Sequence, residues 1–513
     1  MRLFLFAIGG TGARVVRSLT MMLASGIDGL DSSTEIVPII IDYDLSNGDK
    51  SRAISALQHY SNIHQMLYPD SVRGTLYDDH FFMTRITELN NTGVAGGAGG
   101  GKDFEFNFGP TGSSIKFADY LKMSALDTTE ASLTQSLLNA LYDDSDDTSK
   151  DAELQLDMAK GFKGNPNIGT VVFHNLHTMP EFHKFAGNFN ATTDRVFIIS
   201  SIFGGTGASG FPEIVNAIRN SNRSTLSPAT IGAALVLPYF DLQQFDPTLG
   251  DTGAVDAGLF NAKTRAALGF YAGNNGINQK VNALYYIGDE NRDAYHYHEG
   301  EDRQKNDAHV VEFVAATAIV DFLQRCSDQT IKNTDNKAFE FSVKNAKLNE
   351  SLQLPDFENS THALLLNNLS AFSIAMKFYR DVVCGDRAAE SSGTAYYSPQ
   401  RFDLGSKKGK GVYAELDQFL DASGTNKWGF YHWLEELNSH THKLNLYRMD
   451  KQYEMKMVLA HKTIESGFLS ANPIKDSEFK SELNRASHNT PYNDQMFFKV
   501  LHDVAKAKYE AVK

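Results

Sequence analysis

Apolar residues in this chain come in short solid runs, each closed by small residues. Residues 3–8 are an unbroken apolar run that ends in Gly9-Gly10-Thr11-Gly12; a helical stretch over 15–23 follows, and then a second apolar run at 36–41. A strand buried on both faces reads as a solid run rather than an alternation, and parallel strands need a covering crossover helix. The first fifty residues therefore predict a βαβ unit and the start of a parallel sheet. The same grammar returns at 196–199, followed by Gly204-Gly205-Thr206-Gly207 and a helix over 212–219. Pro212 is expected in the first turn of that helix, where its missing N–H has no partner to lose. Apolar runs at 231–237 and 283–287 extend the sheet, with a helix over 262–271 between them, and 306–324 reads as one long helix, apolar on most sides and buried between two domains.

Between the strands at 36–41 and 196–199 lie about 150 less regular residues, including a glycine-rich run at 93–101 and the acidic stretch Asp143-Asp144-Ser145-Asp146-Asp147. The acidic stretch lacks the glycine and terminal glutamate of a calcium loop and reads as a solvated surface loop. From about residue 336 the signals shorten, as at 363–366, 371–378 and 455–459, which predicts an α+β second domain; residues 497–511 predict a closing helix.

Composition narrows the function classes. Lys plus Arg number 48 against 62 Asp plus Glu, a net charge of −14 that repels nucleic-acid phosphates, so no nucleic-acid partner is expected. Two cysteines, Cys326 and Cys384, are too few for a disulfide framework or a thiolate metal site and predict a reducing, cytoplasmic setting. No run of 18 apolar residues occurs, so no transmembrane segment is expected.

The chemistry is carried by the glycine turns. A loop of small residues between a buried strand and a helix lets backbone N–H groups face an anion, and the helix terminus adds partial positive charge. Three such loops, at 9–12, 93–101 and 204–210, can converge on one ligand at the carboxyl edge of a parallel sheet. Neither 9–14 nor 204–210 supplies the lysine of a Gly-x4-Gly-Lys-Ser/Thr loop. A dinucleotide fingerprint starting at Gly10 has Val15 where the third glycine belongs, although Asp42 is placed to take a ribose hydroxyl; an NAD-dependent oxidoreductase is the reading this leaves open. The histidine pairs His296/His298 and His440/His442 lack further ligands at metal-site spacing and read as surface or interface residues, and Trp428 and Trp433 with Phe430 and Tyr431 read as second-domain core or an assembly contact.

The string Phe203-Gly204-Gly205-Thr206-Gly207-Ala208-Ser209-Gly210-Phe211-Pro212 resembles the signature loop of the tubulin/FtsZ superfamily, with Phe203 and Ala208-Ser209 as departures. The order of elements agrees: an opening Gly-Gly-x-Gly loop at 9–12, the acidic strand end Asp42-Tyr43-Asp44, the loop at 93–101, Leu237-Pro238-Tyr239-Phe240, a strand end at 286–291, and a core helix opening at Asn306-Asp307. The segments 161–169 and 309–316 are similar to a divergent bacterial tubulin-like family, and the likeness covers about residues 1–330.

The resemblance implies an α/β fold with a GTP-binding domain over 1–305 carrying an insertion at about 103–190, a central helix over 306–326, an α+β activation-like domain over 327–470 and a helical tail over 471–513. It implies GTP/GDP and Mg²⁺ as cofactors and head-to-tail self-assembly, with hydrolysis completed between subunits. Phosphate contacts fall to Gly9, Gly10, Thr11, Gly12, Gly97, Ala98, Gly99, Gly204, Gly205, Thr206, Gly207 and Ala208. Asp42 and Asp44 stand near the ribose and the metal, with Asp44 orienting metal-bound water, and Arg14, Asp289, Asn291 and Asp307 stand at the base. Asp307 could also cap the central helix, and Asp42 and Asp44 the end of their strand. Asp328 and Asp335 are the candidate hydrolytic acids. A non-hydrolysing scaffold of the same fold, working with operon-encoded partners in membrane remodelling or defence, is the alternative.

Overall fold

Strand residues in the first third sort into two sets by alternation. Leu3, Leu5 and Ala7 join one apolar cluster while Phe4, Phe6 and Ile8 join another, and Phe197 and Ile199 part from Val196 and Ile198 in the same way. A sheet with hydrophobic side chains on both faces must be covered on both. The computed structural model describes residues 1–27, 30, 33–44, 46–69, 80–91, 104–106, 115–123, 128–142, 153–242, 260–273, 276–290, 293–295, 304–339, 351–385, 387–420, 427–450, 454–462, 474–488 and 493–512.

Seven strands form one parallel sheet: β1 (Arg2–Ile8), β2 (Glu35–Ile41), β3 (Arg85–Ile86), β4 (Asp194–Ser201), β5 (Thr230–Val236), β7 (Ala283–Ile287) and β9 (Lys337–Phe339), in the order β3-β2-β1-β4-β5-β7-β9. Two short strands, β6 (Phe240–Leu242) and β8 (Asp293–Tyr295), pair apart from it. Ile8 of β1 stands opposite both Ile41 and Ser200, so β1, β2 and β4 end together at one edge. The chain leaves β1 toward β2 and β3, then returns to the other side of β1 as β4. That reversal creates a crevice beyond the carboxyl ends of β1 and β4, where open α/β sheets bind ligands.

Helices α1 (Gly9–Leu23), α2 (Gly48–Leu67) and α9 (Val310–Ser327) belong to one face. The excursion between β3 and β4 carries α3 (Phe117–Tyr120), α4 (Thr128–Leu141), α5 (Pro166–Phe173) and α6 (Pro180–Asn188), and with α7 (Gly205–Arg219) it covers the other. The long α8 (Phe260–Ala272) precedes β7.

Three details differ from the sequence expectation. The glycine turns are themselves the first turns of α1 and α7, which start at Gly9 and Gly205 directly after their strands. Pro212 consequently lies inside α7, not in its first turn. The central helix starts later than residue 306, because His309 is its cap: the Val311 N–H donates to His309 Nδ1 (3.1 Å) and the His309 N–H to Glu312 Oε2 (3.0 Å), which leaves Asp307 outside the helix rather than capping it.

α9 is buried on most sides, with the Phe313 ring 6.1 Å from Phe357 and 6.2 Å from Trp433. The second half continues the same apolar cluster. Helix Asn367–Phe378 packs against helix Asp494–Glu510, and Phe430, Tyr431, Trp428 and Trp433 are buried core. Strand pairing after β9 is limited, among the described residues, to the bridges Leu352–Leu444 and Tyr447–Leu459. The runs at 363–366 and 371–378 fall in one nearly continuous helical stretch, and short buried apolar runs do not declare by periodicity whether they are strand or helix. Among the described residues no helix is long and apolar enough to cross a membrane.

Candidate functional site

At the predicted crevice lies a cleft, and both glycine turns open into it. Gly9, Gly10 and Thr11 line one wall, and Gly204, Gly205, Thr206 and Gly207 the other. The turns touch: a β-carbon placed on Gly9 would stand 3.6 Å from Thr206 Cβ. Both helices begin here without a side-chain cap and without an acidic residue in the first turn. Their first N–H groups and the positive ends of their dipoles therefore face the same space. The neighbouring helices α2 and α9 are capped, by Asn47 and His309. Thr206 is not the cap of α7, a position held by Gly204. A β-carbon on Gly10 would find its nearest neighbours at 3.4 Å, so that glycine leaves room rather than filling a packing need. These features suit an anion such as a phosphate group.

Beneath the α1 turn sits a buried charge network. Arg14 Nε donates to Glu312 Oε1 (2.5 Å), its other nitrogens donate to Asp49, to the Tyr239 hydroxyl (2.7 Å) and to Thr11 Oγ1 (3.3 Å), and the Tyr239 hydroxyl donates to Glu312 (2.5 Å). Burial pulls the guanidinium pKa down, but Glu312, Tyr239 and Asp49 more than offset this and leave it raised. Arg52 bridges Asp49 (2.7 Å) and Glu436 (3.0 Å), and Arg17 also holds Glu436 (2.5 Å). Three arginines thus face three carboxylates. Arg14 lines the cleft, yet its charge is committed to the floor.

Two carboxyl groups, Asp42 and Asp44, meet at the end of β2. Asp42 is buried, accepts the Asp44 N–H (3.1 Å) and has a pKa pushed up to about 7, chiefly by burial and then by Asp44. Asp44 accepts from the backbone N–H (3.0 Å) and hydroxyl (3.1 Å) of Ser46. Both carboxylates border the cleft and, with oxygen donors only, suit a hard divalent cation. The turn 160–164 is part of the cleft wall and brings Lys160 and Lys163 to its lining. Phe203, Phe240 and Phe260 form an aromatic wall, with ring centroids 5.0 to 6.0 Å apart, and the amide side chains of Asn47, Gln304 and Asn306 lie near it.

The structure brings Gly9, Gly10, Thr11, Arg14, Asp42, Asp44, Gly204, Gly205, Thr206 and Gly207 to one cleft. Gly12 lies elsewhere: its β-carbon would stand 2.6 Å from the carbonyl carbon of Ala7, so it permits close contact between α1 and β1. Ala208 is past the lining, with its carbonyl accepting the Tyr271 hydroxyl (2.9 Å). Asp289 and Asp307 are not among the lining residues; Asp289 is paired with His442 Nδ1 (2.6 Å), and Asp307 precedes the cap of α9. Gly97, Ala98, Gly99 and Asn291 fall outside the described residues, as do the acidic stretch 143–147, His296 and His298.

Asp328 caps the far end of α9, about 27 Å along the helix from its start. Asp335 is nearby in chain order, and its carbonyl accepts from Asn282 (2.9 Å), just before β7. Both acids are therefore at the amino edge of the sheet, opposite the glycine turns. His440 is not a surface residue: it is buried, bonded to the Ala308 carbonyl (2.9 Å).

Residue-by-residue reading passed over Lys160, Lys163, Asn47, Gln304 and Phe260 as site residues, and it met Phe203, Phe240 and Asn306 only inside the motif strings. The signal available for the lysines was their setting beside Gly161 and Gly164; the others are brought in by the fold alone.

No protein-family model matches the chain, and no curated protein matches it. Among solved structures, CetZ from Methanosaeta thermophila strain DSM 6194 aligns at 11% identity with a TM-score of 0.28, over 65% of this chain and 57% of CetZ. A GTPγS-form protofilament of Bacillus thuringiensis serovar israelensis TubZ aligns at 10% identity and 0.23, over 56% of this chain and 48% of TubZ. The chain thus spans about half the length of these tubulin/FtsZ-superfamily proteins. Superposition at this level is loose. The parallel sheet, its switch point and the paired glycine turns stand on their own.

Proposed function

We propose that the chain is a tubulin/FtsZ-like GTP-binding protein that assembles head to tail. The observation that carries this reading is the meeting of two uncapped helix N-termini, α1 and α7, at Gly9 and Thr206 in one cleft at the sheet's switch point. Amides of Gly10, Thr11, Gly205 and Gly207 hold the phosphates, and the Thr206 hydroxyl adds a further contact. Asp42 and Asp44 would hold Mg²⁺, which supplies charge neutralisation of the phosphates when bound. The aromatic wall and the neighbouring amides receive the nucleoside.

Asp328 and Asp335 lie at the opposite edge of the sheet, which supports a contact in which one subunit's amino edge covers the next subunit's cleft. In that contact either carboxylate is in position to accept a proton from an attacking water. GTP turnover then depends on assembly.

Titration of the purified chain with GTP, ATP and NAD, followed by light scattering and phosphate release with Mg²⁺, tests the proposal. GTP binding at micromolar concentration with scattering above a critical protein concentration is expected. Preference for NAD, or a monomer at all concentrations with saturating GTP, would overturn it. GTP-dependent assembly with phosphate release at the background rate would select the non-hydrolysing scaffold.

A further inference from the structure

We propose that Lys160 and Lys163, on the 160–164 turn in the cleft wall, supply the positive charge that holds the distal phosphates of the nucleotide. The inference rests on the nucleotide reading above and adds to it a charged clamp that the glycine turns do not contain.

Charge at the cleft makes such a clamp necessary. Arg14, Lys160 and Lys163 are the cations among the described lining residues, and the two lysines sit on one turn. Asp42 and Asp44 already bring two carboxyl groups to the β2 end. A triphosphate placed beside them adds about four more negative charges, and backbone dipoles alone are a weak counterweight to that sum. Two ammonium groups at the same rim, with a divalent cation held by the two aspartates, offset most of this charge.

Placement agrees with this need. The Phe162 ring packs 5.2 Å from Tyr43, between Asp42 and Asp44, and a β-carbon on Gly161 would lie 3.9 Å from Asp44 Cβ. On its other side the turn abuts α7: a β-carbon on Gly205 would lie 3.2 Å from the Gly164 nitrogen. Lys263 fixes the turn by donating to the Gly164 carbonyl (2.6 Å), and the Asn165 N–H closes it onto Phe162 (2.8 Å). The turn is strapped between the two elements that flank the phosphate side, with both lysines half-buried at the lining.

The backbone gives an independent mark. Gly161 and Gly164 both have φ +77°, and Lys163 sits between them at φ +41°. Glycine would occupy that left-handed position without strain, whereas lysine is not among the residue types that visit it readily. A residue that opposes its own backbone is expected where function keeps it.

Isothermal titration of wild type, Lys160→Gln/Lys163→Gln, Lys160→Arg/Lys163→Arg and Lys163→Gly with GTP and with guanosine tests the clamp. The double glutamine variant should lose about tenfold to hundredfold in GTP affinity, with a shallower salt dependence and unchanged guanosine affinity. The arginine variant should stay within a few-fold of wild type. Lys163→Gly should raise the thermal midpoint of the nucleotide-free protein while weakening GTP binding, a pairing that a purely structural lysine would not produce. Wild-type GTP affinity and salt dependence in the double glutamine variant would overturn the clamp and leave the nucleotide reading intact. A wild-type chain that binds neither GTP nor guanosine would overturn both.

Discussion

The Tyr271 hydroxyl donates to the carbonyl of Ala208 at 2.9 Å, the helical acceptor that Pro212, four residues on in α7, has no N–H to satisfy. Proline inside a helix normally leaves that carbonyl orphaned and bends the helix away from its ring. Here α8 lends a phenol to close the gap, so the turn that begins α7 is held from outside. Tyr271→Phe should lower stability by about 1 kcal/mol, the cost of leaving a part-buried carbonyl unpaired. Adding Pro212→Ala restores an N–H donor and should recover much of that loss, giving a clear coupling in a double-mutant cycle read by urea unfolding. Equal destabilisation by Tyr271→Phe in the wild-type and Pro212→Ala backgrounds would show that the phenol acts by packing alone.

Glycines in the two turns serve different ends, and one substitution at each separates them. A β-carbon on Gly207 would lie 2.2 Å from the Ser201 carbonyl oxygen, a contact that backbone cannot yield without moving β4 against α7. Gly207→Ala should therefore cost about 1–3 kcal/mol or more and lower the thermal midpoint. A β-carbon on Gly10, which lines the cleft, would meet Arg14 and Asp49 at 3.4 Å and Gln304 at 3.6 Å, all ordinary contact distances. Gly10→Ala should fold with a midpoint at or slightly above wild type, since alanine is the better helix residue, and lose nucleotide affinity at least several-fold. Unchanged GTP binding in Gly10→Ala would argue that the α1 turn does not face the ligand.

The floor network predicts a large and partly reversible loss. Arg14→Met leaves Glu312 and Asp49 buried with one partner fewer, and breaking a buried ion pair from one side costs about 3–5 kcal/mol. Removing Glu312 as well, in Arg14→Met/Glu312→Met, should return part of that cost, because the orphaned charge goes with it. The recovery stays incomplete, since Glu312 also caps His309 at the start of α9. Thermal or urea unfolding of the four proteins reads the cycle directly.

How far the sequence carries is clear from particular residues. The strands at 3–8, 36–41, 196–199, 231–237 and 283–287 were legible because strands buried on both faces spell solid apolar runs, and the glycine turns after β1 and β4 were legible because the chain needs small residues there. The long helix at α9 was legible from its apolar residues, but its start was not: His309 and Glu312 form an unusual capping pair, whereas Asp307 is the commoner cap residue. The position of Pro212 escaped because its compensation comes from Tyr271, far along the chain in α8. Asp289 and Asp307 were expected at the base from order along the chain, which does not report that Asp289 is occupied by His442. Lys160 and Lys163 reach the cleft through the excursion between β3 and β4, whose path no periodicity describes.

Asp42 ties stability to pH. Its folded-state pKa of about 7 lies above the ordinary carboxylate value of 3.8, with burial the main cause and the charge of Asp44 the next. Between those two values the folded protein holds a proton that the unfolded chain has released, so stability falls as pH rises from about 4 to 7. Above about pH 7 the group is charged in both states and its full destabilising effect, up to about 4 kcal/mol, is present. Asp42→Asn keeps an oxygen that can accept the Asp44 N–H and removes the charge. The variant should be more stable than wild type by a few kcal/mol at pH 8, converge with it below pH 4, and show a correspondingly flatter dependence of unfolding free energy between. If Asp42 also holds a divalent cation with Asp44, Mg²⁺ should stabilise the wild type most at pH 8, where the carboxylate is ionised, and the Asp42→Asn variant little at any pH. Chemical denaturation at pH 4, 6 and 8, with and without Mg²⁺, separates the two effects; a wild-type profile parallel to that of Asp42→Asn would place the proton elsewhere.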